Sequence, residues 1–201
     1  MNSLGRWLLN SPQRAFVQGH HLLPTFDRLG GPLNGCRVLE VGCGRGIGME
    51  LVAKAGAARV DGIDLDPAMA RLAKRRVGTG MLIAVADIAA LPVPDAGYDV
   101  VLDFGAIHLM PRWRAGLAEV ARVLRPGGRF FFEQPAHPLY RLLMPLSTGR
   151  RISGSFSRDA FLVELELRGL ELIGLAGPHP LSMTGLLGDL VGVARKPRQQ
   201  A

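Results

Sequence analysis

Glu40, Gly42, Gly44 and Gly46, followed by an aspartate at position 64, are the residues of this chain best suited by type and spacing to do chemistry. Glycines alternating with Cys43 and Arg45 let the backbone come close to a ligand and adopt φ > 0 without steric cost. The run 37–41 before them is short, mostly apolar and bounded by turn formers, as a strand covered on both faces should be. Residues 47–55 after them have helical spacing, so the loop N–H groups face a bound anion at a helix N-terminus. Residues 59–64 read as a second strand ending in Asp64, 20 residues beyond Gly44. An acid at that distance sits at the tip of the neighbouring strand, where a carboxylate can accept both hydrogen bonds of a ribose diol. The chemistry is binding of a nucleoside-containing cofactor. Asp66 stands before Pro67 and is expected to cap a helix over 68–77, while Asp61 is expected to face solvent.

The spacing discriminates among such cofactors. A dinucleotide fingerprint requires G-x-G-x-x-G, and Ile47 occupies the place of its third glycine. An acid followed by G-x-G-x-G instead resembles motif I of class I S-adenosylmethionine-dependent methyltransferases. Further landmarks fall in the order of that family. Residues 81–86 form an apolar strand ending in Asp87-Ile88, and residues 99–104 form a fourth strand followed by Gly105-Ala106-Ile107-His108. Helical spacing over 114–124 leads into Leu124-Arg125-Pro126-Gly127-Gly128, a turn similar to the family's closing signature, and then a strand over 129–133. The likeness covers about residues 36–134. It implies S-adenosyl-L-methionine as cofactor, held by Glu40, Gly42, Cys43, Gly44, Gly46, Asp64, Leu65, Asp87, Ile88 and Phe104. Within that set it implies that Asp64 takes the ribose, Asp87 the adenine amino group and the Ile88 N–H a ring nitrogen.

The elements that must position these residues alternate strand and helix, which indicates an α/β, Rossmann-like doubly wound sheet. Residues 161–168 read as a helix, and 170–174 and 190–194 as strands. The link between those two strands leaves no room for a crossover helix, so they should pair antiparallel. A seven-stranded order of 3-2-1-4-5-7-6, with strand 7 antiparallel, follows from the resemblance. At 201 residues and 48% hydrophobic content the chain makes one domain with ample core: a helical lid segment over 1–35 and the methyltransferase domain over 36–201.

A sulfonium already activates its methyl group, so the protein has mainly to align a nucleophile and exclude water, with a base needed only where the nucleophile arrives protonated. His108 follows the fourth strand at the carboxyl edge of the sheet and matches the first histidine of a family pattern, A-L-H-H, whose second position is Leu109 here. His137 and Tyr140 are the next candidates, and Glu133 and Asp103 read as structural acids at strand ends. Substrate choice falls to the parts outside the common core. Leu4, Trp7 and Leu8 share a helical face, Phe16 and Val17 follow on a helix restarted at Ser11-Pro12, and residues 135–146 are apolar with a few polar points, like a pocket wall.

The formal charge of +7 is carried by 24 basic residues, of which all but Lys54, Lys74 and Lys196 are arginine. Arg141, Arg150, Arg151 and Arg158 cluster in one segment and Arg195, Lys196 and Arg198 in another, a pattern suited to an anionic substrate or an anionic membrane surface. Nucleic acid is disfavoured, because aromatics make up 6% of the chain and none form a stacking platform among the basic residues. Two cysteines close together make no disulfide framework, no His/Cys spacing suits a metal, and no apolar run is long enough to span a bilayer. The expectation is a cytoplasmic methyltransferase, peripheral at the inner membrane face, acting on a small-molecule or lipid acceptor such as a quinone-like phenol or a lipid headgroup. A non-catalytic S-adenosylmethionine-binding module and an NAD(P)-dependent oxidoreductase stay open as alternatives.

Overall fold

The structure, a computed structural model, describes residues 12–77, 80–135, 156–177 and 189–198. Seven strands form one sheet of order β3-β2-β1-β4-β5-β7-β6. They are β1 (Arg37–Val41), β2 (Arg59–Asp64), β3 (Ile83–Val85), β4 (Tyr98–Phe104), β5 (Leu124–Pro135), β6 (Glu171–Ala176) and β7 (Asp189–Arg195). The first five run parallel, and β7 lies antiparallel between β5 and β6. This is the order and the reversed strand expected from the sequence.

Alternation along the strands divides the core into two layers. Val38, Val60, Val100, Leu102 and Phe131 point to one face, covered by α1 (Pro12–Val17), α2 (Leu23–Gly30), α3 (Ile47–Lys54) and α4 (Pro67–Val77). Leu39, Val41, Val101, Phe130 and Phe132 point to the other, covered by α5 (Trp113–Val123) and α6 (Arg158–Leu167). On that second face Trp113 meets Phe156 edge-on, with ring centroids 5.3 Å apart. Such a ring pair adds about 0.5–1.5 kcal/mol beyond its buried area. A single π-helical turn, Gln18–Leu22, joins α1 to α2, so helix runs unbroken from residue 12 to residue 30.

Two local readings are corrected. Asp61 does not face solvent: it is 1% exposed and accepts hydrogen bonds from Arg59 Nε, from the Leu82 N–H at 3.0 Å and from the Tyr98 hydroxyl at 3.0 Å. Burial, with the Asp61 charge second, pushes the Tyr98 phenol up to about 12. The segment Leu124–Gly128 is also no bare turn. It already belongs to β5, and the ladder to β4 shifts register between Tyr98 and Val100 to accommodate it.

Candidate active site

The carboxyl ends of β3, β2, β1 and β4 open into one cavity of about 550 Å³. In sheet order it is lined by Asp87 and Ile88 after β3, Asp64 and Leu65 at the tip of β2, Glu40 and the glycine loop after β1, and Phe104 closing β4. This is the edge where ligands bind in open α/β sheets. Two glycines make the shape. Gly42, at φ 70°, lies so near the loop after β4 that a Cβ there would sit 2.2 Å from Ala106 Cβ. At Gly48, on the first turn of α3, a Cβ would fall 2.5 Å from a carboxylate oxygen of Glu40, so a glycine is needed for that acid to lie against the helix.

Asp64 holds the cavity floor in place. Its Oδ2 accepts from the Gly44 N–H and its Oδ1 from the Asp66 N–H, each at 2.8 Å. A carboxylate offers about four lone-pair sites, so binding two backbone donors is compatible with accepting a diol as well. Asp66 Oδ1 accepts from the Ala68 N–H at 2.9 Å, the geometry of a cap on α4. Asp87 accepts from the Ala89 N–H at 2.9 Å and has Arg112 at 4.0 Å.

Electrostatics are set by burial. Glu40 is 2% exposed, and desolvation, followed by the charges of Asp103 and Asp64, raises its carboxyl well above the usual range. Its Oε2 has no hydrogen-bond partner. The same causes, with desolvation first and then Glu40 and Asp64, push the Cys43 thiol up and keep it neutral. Cys43 therefore shapes the loop and offers no thiolate.

Nine of the ten expected cofactor residues line this cavity: Glu40, Gly42, Cys43, Gly44, Asp64, Leu65, Asp87, Ile88 and Phe104. Gly46 does not. At φ 77° it turns toward α4, where a Cβ would be 3.1 Å from Ala73 Cα, and its role is close packing of loop on helix. His108 is not on the cavity wall either. It is 1% exposed, its backbone N–H and Nδ1 both lie 3.2 Å from Gln134 Oε1, and its ring meets Phe156 edge-on. A backbone N–H can only donate, so the Gln134 atom facing it is the carbonyl oxygen and His108 Nδ1 must carry a proton. Gln134 Nε2 in turn donates to Asp103. Asp103 also takes the Ala106 N–H at 2.6 Å and the Ile107 N–H at 3.2 Å, which ties the loop after β4 to its strand. His137 and Tyr140 lie outside the described residues, as do Leu4, Trp7, Leu8, residues 136–146, Arg150 and Arg151.

Sequence reasoning read residues 1–35 as a lid but did not single out two of its side chains. Arg14 and Gln18 both line the cavity. Arg14 donates to both carboxylate oxygens of the buried Glu133 and to the Phe104 carbonyl at 2.9 Å. Glu133 is thus the structural acid it was taken to be, with a partner 119 residues away. Arg45, Leu109, Met110, Pro111 and Arg112 complete the wall on the side of the loop after β4. The Arg-Gln spacing of four, which places two polar side chains on one helical face, was the available signal.

The order of strands and the position of the cavity define a doubly wound α/β domain built for a nucleoside-containing ligand. Residues 39–132 match the methyltransferase domain family. The chain is 42% identical over 110 residues to a fatty-acid O-methyltransferase of Mycolicibacterium smegmatis, a match covering 54% of this chain and 40% of the relative. It is 40% identical over 123 residues to a phthiotriol/phenolphthiotriol dimycocerosates methyltransferase of Mycobacterium tuberculosis, covering 60% of this chain and 44% of the relative. The chain therefore spans less than half the length of these curated relatives. Its fold matches an S-adenosylmethionine-dependent methyltransferase from Mesorhizobium loti, with TM-score 0.73 and 21% identity over 86% of this chain and 96% of that one. It also matches a geranyl diphosphate methyltransferase in complex with S-adenosylmethionine, with TM-score 0.71 and 18% identity over 90% and 84% of the two chains. The methyltransferase-domain match over residues 39–132 and the shared fold are consistent with a class I S-adenosylmethionine-dependent methyltransferase. The residues present fit the family's cofactor, since the cavity offers carboxylates at successive strand tips and an orphaned acceptor on Glu40.

Proposed function

We propose that this chain methylates an oxygen atom of an apolar or amphiphilic acceptor, either a fatty-acid carboxylate or the hydroxyl of a phenol-like or headgroup lipid. The observation that carries this reading is the double character of the cavity. The acids Asp64 and Asp87 share it with Leu65, Met69, Phe104, Leu109 and Met110. The names of the two curated relatives, a fatty-acid O-methyltransferase and a phthiotriol/phenolphthiotriol dimycocerosates methyltransferase, support the same acceptor class. Asp64 would hold the cofactor's ribose and Asp87 with Ile88 its base, while the loop from Glu40 to Gly44 receives the remainder. When bound, S-adenosylmethionine supplies a methyl group made electrophilic by its sulfonium.

The protein's own work is then alignment and exclusion of water. The apolar wall lowers the local dielectric and strengthens every charge interaction inside it. An acceptor that arrives ionised, such as a carboxylate, needs only to be aligned; a hydroxyl also needs a base. His137 and Tyr140 are our candidates for that base. His108, fixed by Gln134 behind the loop after β4, is assigned a part in shaping the site. An NAD(P)-dependent oxidoreductase is not favoured, because Ile47 stands where a dinucleotide loop needs its third glycine.

The test is incubation with methyl-labelled cofactor and, separately, a long-chain fatty acid and a lipid phenol. The expected product is a labelled lipid whose label either leaves as methanol in alkali, marking an ester, or resists it, marking an ether. Label appearing only in nitrogen- or sulfur-bound form would overturn the acceptor class, and no turnover of any acceptor would support a binding module.

A further inference from the structure

A second hollow, open to solvent and of about 510 Å³, shares no lining residue with the cavity at the strand tips. His20, His21, Pro24, Thr25 and Arg28 line one side of it, and Ala176, the last residue of β6, stands on the other. Positions 20, 21, 24, 25 and 28 recur at helical spacing, so a single helical face supplies that side.

Pro24 accounts for the arrangement of this face. A proline inside a helix has no N–H to give the carbonyl four residues back, here that of His20, and its ring crowds the same carbonyl. The helix widens just before it into the π turn Gln18–Leu22, where the Leu23 N–H reaches back five residues to the Gln18 carbonyl. Both histidines ride on that turn. The ring of His20 lies against Phe16, with centroids 4.4 Å apart and planes at 33°.

Every side chain that brings a polar atom to the hollow can donate a hydrogen bond, and none is an acid. Arg28 is exposed and makes no ion pair among the described residues. Asp27 beside it is not a lining residue, because adjacent helix residues point apart. Thr25, 4% exposed, adds a hydroxyl. A metal cation is a poor occupant: Arg28 would repel it, and no group of three possible metal ligands occurs among the described residues. An oxyanion fits instead. A guanidinium presents a planar fork of donors that matches two oxygens of a phosphate, and the third oxygen is left for imidazole and hydroxyl donors. A carboxylate, with two oxygens, would be spanned by the arginine alone. We propose that this hollow binds a phosphate group, with Arg28 as its bidentate partner and His20, His21 and Thr25 as the further donors. Phe16, 60% exposed against the His20 ring, gives the site an apolar neighbour, so a phosphate carried by a lipid gains a contact that a free phosphate ester lacks. The site stands apart from the cofactor reading and does not depend on it.

NMR titration of the full chain in phosphate-free buffer tests it. The probes are inorganic phosphate, glycerol 3-phosphate and a short-chain phosphatidic acid held below its micelle concentration. Each should shift the signals of His20, Thr25 and Arg28, with millimolar or tighter affinity. Arg28→Gln should weaken all three by about tenfold or more, since a charge-assisted fork is lost. Arg71→Gln removes the same charge from the exposed face of α4 and should change binding by less than about twofold. S-adenosylhomocysteine affinity should stay within about twofold of the parent in both variants. Phosphatidic acid binding about threefold or more tighter than glycerol 3-phosphate, with the advantage lost in Phe16→Ser, assigns the phosphate to a lipid; equal affinities assign it to a free ester. The proposal is overturned if no probe shifts these signals, or if Arg28→Gln leaves binding unchanged. Equal weakening by Arg28→Gln and Arg71→Gln would also overturn it, because that marks diffuse attraction to a basic protein. So would a loss of S-adenosylhomocysteine affinity in Arg28→Gln, which would make the hollow part of the cofactor site.

Discussion

Replacing Gly42 with alanine tests the geometry on which the whole cavity depends. Two penalties apply. The residue sits at φ 70°, a conformation that costs an L-residue roughly 1–2 kcal/mol. The new Cβ would also lie 2.2 Å from Ala106 Cβ, where carbon atoms ordinarily pack at about 3.5–4.0 Å. Ala106 cannot retreat freely, because Asp103 holds its N–H at 2.6 Å and that of Ile107 at 3.2 Å. Overpacking of this kind costs about 1–3 kcal/mol. Together the loss is about 2–5 kcal/mol, a large share of the roughly 5–15 kcal/mol that holds a domain folded. At about 2–4 °C per kcal/mol for a chain of this size, the melting temperature should fall by roughly 4–20 °C. The double variant Gly42→Ala with Ala106→Gly removes the clash and leaves the backbone strain, so it should recover about 1–3 kcal/mol of the loss. Urea unfolding and thermal melting of the three proteins measure both effects. The reasoning fails if Gly42→Ala melts within about 2 °C of the parent, or if the double variant recovers nothing.

Three further outcomes are expected. Asp64→Ala should lose the charge-assisted ribose bonds, about 1.5–3 kcal/mol each at most, while Asp66→Ala should cost about 1 kcal/mol of stability with cofactor affinity little changed; affinity and melting temperature measured on both variants decide, and loss of binding in Asp66→Ala would reverse the assignment. Burial raises the Asp103 carboxyl to about 7 against the hydrogen bonds from Ala106, Gln134 and Ile107, which favour the charged form. The folded state thus binds this proton more tightly than the unfolded chain, so this group's contribution to stability is full below about pH 4 and declines as pH rises toward 7; urea unfolding at pH 5 and pH 8 should show the decline in the parent and a smaller one in Asp103→Asn. Phe16, 60% exposed on the same helix as the cavity-lining Arg14, and the basic segments of the sequence suit an anionic lipid surface, so the protein should sediment with anionic vesicles at low salt and release at high salt, and deletion of residues 1–10 should weaken that binding; indifference to vesicles at low salt would leave a freely diffusing acceptor.

Much of the site was legible because its parts are local. A strand, a glycine loop and a helix in succession declare themselves over residues 37–54, and an acid at the next strand tip is found by counting. Pairings across the fold were not legible. Asp61 was read as outward-facing because alternation along a strand suggests a wet face, yet its hydroxyl partner Tyr98 lies 37 residues on and both faces of this sheet are covered. Gly46 was grouped with its neighbours by pattern, although a pattern of glycines does not say which one faces ligand and which one packs on α4. Arg14 and Gln18 were missed for the same reason: what brings them to the cavity is a wall assembled from strands that come much later in the chain.

That long reach has a consequence for how the molecule comes together. The partners of Arg14, the Phe104 carbonyl and the Glu133 carboxylate, are 90 and 119 residues downstream. A helix synthesised early must therefore wait for β4 and β5 before it can dock, and closing so long a loop carries its entropic cost before any contact rewards it. The bonds of Arg14 form only once β4 and β5 are in place. In the finished protein the same helix is then where a low-energy partial opening is expected, and hydrogen exchange should show its amide protons exchanging ahead of those in β1, β4 and β5.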